Sequence, residues 1–244
     1  MTTHAFSFCG HRFEARPSGA LFWPAESLLC VSDLHLGKSS RAARRWGVQL
    51  PPYDVQDTLQ RLETEVDATR PAIVLCLGDS FDDLQASTDL GAGARDWILR
   101  LQAGRRWIWA EGNHDPGPVD LGGEHVAELR LHDVVFRHIA EPGATGEISG
   151  HYHPKAPVRT RARTITRPCF LRDDARVILP AFGTYTGGLR SDADELCALM
   201  RDDAQAIVTG QTAFAVPMPR SKPGFGPPHA RAGTAARLAQ GGKR

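Results

Sequence analysis

Short apolar runs alternate along the chain with clusters of polar residues. Each run is three to six residues long and leads directly into turn-forming or ionisable residues, as in "SLLCVSDLHLG" and "RWIWAEGNHD". Runs of this length that are bounded by turn residues are typical of buried strands. The pattern therefore predicts five strands, at 27–31, 72–77, 106–110, 134–136 and 147–149.

Helical periodicity separates the first three runs. Four apolar residues recur at steps of four, three and four, which places them on one helix face: Val55, Leu59, Leu62 and Val66. A second helix is predicted just before the third run, around Trp97, Ile98 and Leu101. Alternation of strand and helix indicates an α/β layered fold.

The later part of the chain continues the alternation. The stretch "RVILPAFGTYTGG" predicts a strand followed by a glycine-rich loop, and 191–200 is predicted as a short helix with Ser191 as its cap. In α/β sheets, functional groups gather beyond the carboxyl ends of the strands. We therefore expect the five polar clusters to meet at such ends.

Length and charge predict one domain with a basic tail. The chain has 244 residues and is 41% hydrophobic, which is enough for one sizeable core, and we place it at 1–219. The formal net charge is +1, but 220–244 holds six Lys or Arg and no acid, so the body carries five more acids than bases. The tail is rich in Gly, Pro, Ala and Arg without periodicity, which predicts a flexible segment.

Cysteine usage and the absence of targeting patterns predict a cytoplasmic protein. The five cysteines form no CxxC pair, and Cys30 and Cys76 lie inside apolar runs. This favours a reducing compartment and argues against a thiolate metal site. The first residues show no signal-peptide pattern, and no apolar run is long enough to span a membrane.

Metal-ligating residue types follow the predicted strands. Asp33 and His35 are spaced so that, on an extended segment, both side chains point the same way, and the same spacing recurs in "GHYHP". Nitrogen and oxygen donors without thiolate suit Mn, Fe or Zn. Taken alone, each cluster is compatible with an ordinary turn. Their order, D-x-H, G-D-x-x-D, G-N-H-D and G-H-x-H, each after a candidate strand, favours one shared site.

That ordered set resembles the calcineurin-like metallophosphoesterase superfamily over residues 21–190. The resemblance implies an α-β-β-α sandwich, in which two packed mixed β-sheets are flanked by helices. It also implies two divalent metal ions, with manganese favoured over iron, zinc and magnesium. The implied ligands are Asp33, His35 and His153 for one ion, Asn113, His138 and His151 for the other, and Asp79 as the bridge. His125 and His132 compete with His138, which is favoured because it follows a strand.

The resemblance also implies a catalytic role for His114. This histidine of "GNHD" would face the substrate and protonate the leaving group, and Asp82 would orient its ring. A turn is needed to direct both Asn113 and His114 inward, and Gly112 permits one. The sequence departs from the family at Asp83, where many members have Arg. The phosphate clamp therefore stays open among Lys38, Arg41 and Arg137.

Longer stretches are similar to the bacterial ligase-associated DNA damage response endonucleases, above all "LPAFGTYTGG". This similarity implies a phosphodiesterase or endonuclease that acts on DNA beside ligase and helicase partners. Two alternatives remain. One is a phosphodiesterase or phosphatase for small molecules with the same centre. The other is a metal-free scaffold on the same fold, which would be expected to carry a damaged site.

Overall fold

Two mixed β-sheets form the centre of the molecule. The computed structural model describes residues 2–117, 120–159 and 163–220. The first sheet has seven strands, whose spatial order follows the chain: β1 (His4–Phe8), β2 (His11–Ala15), β3 (Leu21–Trp23), β4 (Leu28–Val31), β5 (Ile73–Leu77), β6 (Arg106–Ala110) and β7 (Glu124–Val126). Strands β1 to β4 pair antiparallel, and β4 to β7 pair parallel.

The second sheet is built from the later half of the chain. Its strands are β8 (Glu128–Leu131), β9 (Val134–Arg137), β10 (Glu147–Ser149), β11 (Lys155–Arg159), β12 (Thr164–Arg172), β13 (Arg176–Ile178), β14 (Gln205–Val208) and β15 (Phe214–Pro217). The spatial order is β15-β14-β12-β13-β10-β9-β8, and β11 pairs with β12 as a hairpin. Strand β10 lies parallel to both β9 and β13, while the other pairs are antiparallel.

Within the described residues, five α-helices cover the outer faces. They are α1 (Lys38–Trp46), α2 (Asp54–Thr69), α3 (Leu84–Thr88), α4 (Ala92–Gln102) and α5 (Asp194–Leu199). The two helices predicted from periodicity are α2 and α4, and the five predicted strands are β4, β5, β6, β9 and β10. None of the helices in the described part of the chain is long and apolar enough to cross a membrane.

The predicted start of the last helix is wrong. Helix α5 begins at Asp194 after Ala193, and no side chain caps its first turn. Ser191 is buried, and its N–H donates to the Lys155 carbonyl at 2.8 Å. Ser191 thus follows directly on the isolated bridge between Arg190 and Lys155. It lies two residues before Ala193, the residue at the N-cap position of α5.

Three apolar layers hold the sandwich together. Between the sheets, Phe13, Trp23 and Leu75 of the first pack with Phe136 and Phe170 of the second, and all are almost fully buried. Burial of each such side chain stabilises the fold by about 1.5–3 kcal/mol. The predicted α-β-β-α sandwich is therefore confirmed.

The outer layers attach the helices. On the first sheet, Val31 and Val74 pack against Leu59 and Leu62 of α2. On the second sheet, Leu171, Ile178 and Val208 pack against the smaller helix α5 through Leu196 and Met200. Each sheet is thus buried on both faces, which explains why its central strands read as continuous apolar runs.

The predicted tail, 220–244, lies outside the described residues except for Arg220. The Arg220 guanidinium donates to the Met200 carbonyl at 2.9 Å and lies 3.6 Å from a carboxylate oxygen of Asp202. The first basic residue of the predicted tail therefore contacts the body just after α5.

Candidate metal centre

The polar clusters meet at the carboxyl ends of five strands. Strands β4, β5 and β6 come from the first sheet, and β9 and β10 come from the second. The loops after them carry every residue that the sequence nominated: Asp33, His35, Asp79, Asp82, Asn113, His114, His138, His151 and His153. The structure brings their donor atoms together in adjoining groups.

The first group consists of Asp33, His35 and His153. The His153 Nε2 atom lies 3.0 Å from Asp33 Oδ1 and 3.4 Å from His35 Nε2. Asp33 and His35 are buried, and His153 is partly exposed. The set combines one carboxylate oxygen with two imidazole nitrogens, all within 4.8 Å of one another.

The second group consists of Asp79, His138 and His151, with Asn113 beside them. The His138 Nε2 atom lies 3.3 Å from Asp79 Oδ2 and 3.0 Å from Asn113 Oδ1. The three titratable members again offer one donor atom each within 4.8 Å. The amide oxygen of Asn113 adds a neutral hard donor.

Asp79 lies between the two groups through a single oxygen. Its Oδ2 atom is 3.3 Å from His138 Nε2 and 4.0 Å from His35 Nε2. Its Oδ1 atom accepts the backbone N–H of His114 at 2.8 Å. Of the two carboxylate oxygens of Asp79, only Oδ2 therefore faces both groups.

The backbone at the predicted ligands is left-handed, so the expected extended geometry is wrong. Five of them have φ between 44° and 69°: Asp33, His35, Asp79, His151 and His153. For residues with a Cβ this conformation costs about 1–3 kcal/mol and clusters at functional sites. The i, i+2 pairs therefore converge because both members leave the extended conformation, not because a strand pleat aligns them.

Hydrogen bonds orient the rings and carboxylates. The His138 Nδ1 atom lies 3.1 Å from the Leu77 carbonyl, which can only accept, so Nδ1 carries the proton and Nε2 presents its lone pair. Asp33 Oδ2 accepts from Ser32 Oγ at 2.6 Å and from the His151 N–H at 3.0 Å. These contacts leave the buried Asp33 Oδ1 atom facing His153 Nε2, at 3.0 Å.

Asp82 plays a different part from the one expected. Its carboxylate lies 3.0 Å from His35 Nδ1, 3.1 Å from Arg41 Nη1 and 3.4 Å from Lys38 Nζ. The ring of His114 contacts Asp82 only through the main chain, since His114 Nδ1 lies 2.8 Å from the Asp82 carbonyl oxygen. The orienting carboxylate thus acts on His35, and a backbone carbonyl orients His114.

The protonated nitrogen of His114 follows from these contacts. Arg41 Nη1 also lies near His114 Nδ1, at 3.3 Å, and a guanidinium can only donate. The shorter contact, to the Asp82 carbonyl, decides which nitrogen carries the proton. Without a proton, Nδ1 would be an acceptor that faces another acceptor, the carbonyl oxygen, at 2.8 Å. Nδ1–H therefore donates to the carbonyl, and Nε2, which lies 4.0 Å from Asp79 Oδ2, faces the centre.

The departure from the family at Asp83 has a structural explanation. Asp83 caps α3, since its carboxylate accepts the Ala86 N–H at 2.7 Å. It also lies 3.1 Å from Arg44 Nη2 and 3.7 Å from Arg41 Nε. Asp83 therefore pairs with two arginines of α1 and caps α3.

Of the candidates for a phosphate clamp, Lys38 and Arg41 lie beside His114 and Asp82. Arg137 lies beside His138 but is surrounded by the carboxylates of Glu128, Glu141 and Glu147. These acids neutralise Arg137, which leaves Lys38 and Arg41 as the cations best placed for a phosphate.

The pKa values keep the donor carboxylates ionised. Burial raises the pKa of Asp33, but the hydrogen bond and charge of His153 outweigh it and lower the pKa below its usual value. Burial also raises the pKa of Asp79, yet the contacts with His138 bring it to about 2. Both groups therefore present negative oxygens at neutral pH.

The two histidines of the second group shift in opposite directions. Burial lowers the pKa of His151, and the charge of His138 lowers it further, so the His151 imidazole is neutral. Burial also lowers the pKa of His138, but contact with Asp79 and the charge of Asp33 raise it above its usual value. Because a metal ligand must be unprotonated, a cation held by His138 would displace the proton of its ring.

Asp115, the last residue of "GNHD", is a positioning residue that the sequence analysis left without a role. Its Oδ2 atom accepts the backbone N–H groups of Ser80 and Phe81 at 2.8 and 3.0 Å. It thereby fixes the loop that carries Asp79. Burial raises the pKa of Asp115 to about 6 against these hydrogen bonds. The carboxylate directly after His114 was visible in the sequence. That it accepts hydrogen bonds from the loop of Ser80 and Phe81 could not be predicted, because this loop is distant along the chain.

Gly112 is required by close approach and not by its own turn angles. A Cβ atom at this position would lie 2.1 Å from the Asp79 nitrogen and 2.3 Å from Asp79 Oδ1. The φ of Gly112 is not positive, so the expected role in permitting a turn is wrong. The residue is small because the "GNHD" loop passes directly against the Asp79 loop.

Gly112→Ala is expected to displace Asp79 and to destabilise the fold by about 1–3 kcal/mol, the usual cost of overpacking. The temperature of thermal unfolding and the amount of bound metal should both fall. Gly117→Ala is the matched control, because a Cβ there meets nothing within 4 Å and φ is not positive. Unchanged metal content in Gly112→Ala would contradict the close approach.

Asp82→Asn is expected to weaken metal binding by about 10- to 100-fold, the usual effect of losing a ligand's orienting partner. The altered contact is the one to His35, so occupancy of the first group should fall more than that of the second. The His114 ring should keep its place, because its partner is the main-chain carbonyl. Metal titration followed by calorimetry measures the loss, and equal weakening in both groups would contradict it.

The donor chemistry of both groups fits divalent cations. The buried Asp33 Oδ1 atom and the imidazole nitrogens of His35 and His153 face one another. A cation satisfies all three at once, since every atom involved is an acceptor or can become one. A third group, formed by His35, Asp82 and His114, is different because Lys38 and Arg41 already neutralise its carboxylate.

The competing histidines lie elsewhere. His132 pairs with Glu26 at 2.8 Å and packs beside Trp23. His125 lies on β7, next to a small cavity lined by Asp115 and Phe81. Of the three candidates, His138 is the one that the structure places against Asp79.

Comparisons with known proteins match this chain to a family and to a solved structure. Residues 27–210 match the family described as calcineurin-like phosphoesterase, a range that includes every nominated site residue. A solved structure described as Pseudomonas putida nuclease MPE aligns with a TM-score of 0.69 at 25% sequence identity, covering 88% of this chain and 100% of that chain. A comparison with curated proteins found no match.

Proposed function

The chain belongs to the calcineurin-like phosphoesterase family, a family of metal-dependent phosphoester hydrolases, and from this premise we propose that it is a dinuclear phosphodiesterase that cleaves DNA. The observation that carries the proposal is the pair of donor groups that meet at Asp79 Oδ2. One group offers Asp33, His35 and His153, and the other offers His138, His151 and Asn113. The full set of donors argues against the metal-free scaffold.

Two divalent ions, when bound, lower the pKa of a water and offset negative charge on a phosphoester. The protein's own residues supply the rest. Lys38 and Arg41 lie where they can bind a non-bridging phosphate oxygen, because both already contact Asp82 beside His114. The Nε2 atom of His114 faces the centre. When Nε2 carries a proton, His114 can donate that proton to the departing oxygen.

The nucleic-acid substrate is inferred from similarity. The solved structure that aligns with the whole fold is described as a nuclease. The similarity of "LPAFGTYTGG" to ligase-associated endonucleases supports a place in DNA repair, with ligase and helicase partners, in the cytoplasm. Manganese is the cation we propose, because the mixed nitrogen and oxygen donors suit it.

A substrate and metal panel tests the proposal. Single-stranded, nicked, gapped and duplex DNA are incubated beside bis(p-nitrophenyl) phosphate and p-nitrophenyl phosphate, each with Mn, Mg, Zn or no metal. We expect metal-dependent cleavage of DNA and of the diester. Turnover of small phosphoesters without DNA cleavage would support the small-molecule alternative. Metal-bound protein that hydrolyses nothing would overturn the assignment.

A further inference from the structure

A basic segment without acids leads away from the metal centre. Residues 38–53, "KSSRAARRWGVQLPPY", comprise helix α1 and the loop after it, and we call them the α1 segment. The segment holds four cations, Lys38, Arg41, Arg44 and Arg45, whereas the body as a whole has an excess of acids. Arg45 is exposed and forms no ion pair with any residue in the described ranges.

The same segment exposes large aromatic rings. Trp46 is 57% exposed and Tyr53 is 62% exposed, and Val48 lies between them at 49%. Large apolar side chains grouped on a surface mark a binding site more often than a solvated face. The other four tryptophans are buried or partly buried in the described structure.

Direct contacts join the α1 segment to the centre. Lys38 and Arg41 contact the Asp82 carboxylate, and Arg41 also approaches the ring of His114. The Arg41 guanidinium lies over the ring of Trp46, 5.4 Å from its centroid. Side-chain contacts therefore run from the exposed Trp46 through Arg41 to His114 at the centre.

Buried contacts hold the segment in place. Ser39 donates from its N–H and its hydroxyl to the Asp54 carboxylate, at 3.1 and 2.5 Å. That carboxylate satisfies the first turn of α1, which lacks a side-chain cap of its own. The exposed rings are thus presented by an anchored helix.

The opposite side of the centre carries the other sign of charge. A cleft of about 390 Å³ beside Asn113 and His138 is lined by Glu111, Glu128 and Glu141. Arg137, which also lines this cleft, is paired with glutamates. A polyanion is repelled on that side and attracted on the α1 side.

We propose that the α1 segment binds an unpaired nucleic-acid strand, with a phosphate on Arg45 and a base stacked on Trp46. This inference rests on the proposed function and names its substrate class. Cations interleaved with exposed aromatic rings are the combination that binds single strands, because phosphates and base faces are both satisfied. A base in a duplex is already stacked between its neighbours, so Trp46 selects unpaired nucleotides.

The test compares strand binding by Trp46 variants. Fluorescence anisotropy measures binding of a labelled single-stranded oligonucleotide, an abasic strand of equal length and a blunt duplex. The metal-loaded protein carries His114→Ala, in which hydrolysis is expected to be slow. Trp46→Ala should weaken single-strand binding by about 5- to 100-fold. It should leave abasic and duplex binding nearly unchanged. Trp46→Phe should restore most of the loss, and Phe214→Ala, an exposed aromatic on β15, should change nothing.

Arg45→Ala provides a second readout. Log affinity for single strands should depend less steeply on log salt, with a slope smaller in magnitude by about 0.7. This is the change expected for the loss of one phosphate contact. The rate with bis(p-nitrophenyl) phosphate, measured without His114→Ala, should be unchanged in Arg45→Ala, because Arg45 does not touch the reacting phosphate.

The outcomes separate this inference from the proposed function. Equal single-strand affinity in Trp46→Ala and its parent would overturn the strand site, even where the wild type cleaves DNA. Equal losses on single strands and duplex would overturn base stacking. Binding of anionic vesicles that depends on Trp46, with DNA binding unaffected, would replace the strand by a membrane surface. Strand binding as expected, in a wild type that hydrolyses no phosphoester, would support the site and overturn the proposed activity.

Discussion

Asp79→Ala is expected to remove metal from both positions and to reduce hydrolysis by more than ~100-fold, the upper end for changes that only touch a ligand's partner. Asp79 Oδ2 is the one oxygen that faces both His138 and His35, at 3.3 and 4.0 Å. Its loss leaves each group without its shared negative donor. Metal analysis of the purified variant and the rate with bis(p-nitrophenyl) phosphate measure the two effects.

The control must separate metal loss from unfolding. Asp79 Oδ1 also accepts the His114 N–H, so alanine removes a buried hydrogen bond as well. Asp79→Asn keeps an acceptor there but carries no charge, and it should retain the fold while still binding less metal. Asp67→Ala, an exposed acid on α2, should behave like the wild type. Two equivalents of metal per chain in folded Asp79→Ala would show that Asp79 does not bridge.

The position of the centre was predictable because it depends on strand order. The carboxyl ends of neighbouring parallel strands lie at one edge, so Asp33, Asp79 and Asn113 had to converge once β4, β5 and β6 were recognised. His138 followed from the same argument on β9. Residue type and order were therefore enough to collect the donors without any knowledge of distance.

The first three strands were missed although a signal was present. In "HAFSFCGHRFEA" the apolar residues alternate on both sides of a turn, and Phe6, Phe8, Phe13 and Ala15 are all buried between the sheets. Alternation with period two predicts a hairpin. Strands were predicted only from continuous apolar runs, which are typical of strands buried on both faces, so this alternating hairpin was missed.

Other features depend on tertiary contacts that the chain does not encode locally. The left-handed angles at His35 and His153 exist because the surrounding loops impose them. The same holds for Asp82, whose carboxylate contacts His35 and whose carbonyl contacts His114. Sequence suggests an acid beside His114, but Arg41 and Lys38 draw the carboxylate away toward α1, and only its carbonyl reaches the ring.

This exchange sharpens the expectation for His114. A main-chain carbonyl fixes Nδ1–H, so the ring stays oriented in variants of Asp82, and Nε2 is the nitrogen that gains and loses a proton. Nε2 faces the centre 4.0 Å from Asp79 Oδ2, while Arg41 lies beside the ring. His114 belongs to neither donor group that contains Asp79 or Asp33, so metal binding should not depend on it.

His114→Ala should therefore keep its metal and its fold and lower the rate of DNA cleavage by about 10²- to 10⁴-fold, the usual contribution of a positioned acid. The sugar oxygen that leaves from DNA needs a proton, whereas nitrophenolate leaves without one. The loss on bis(p-nitrophenyl) phosphate should be smaller for that reason. His132→Ala, which alters a histidine paired with Glu26, serves as the control and should match the wild type on both substrates. Equal losses on good and poor leaving groups would assign His114 to holding the phosphate, because charge or hydrogen bonding to a non-bridging oxygen assists both reactions alike.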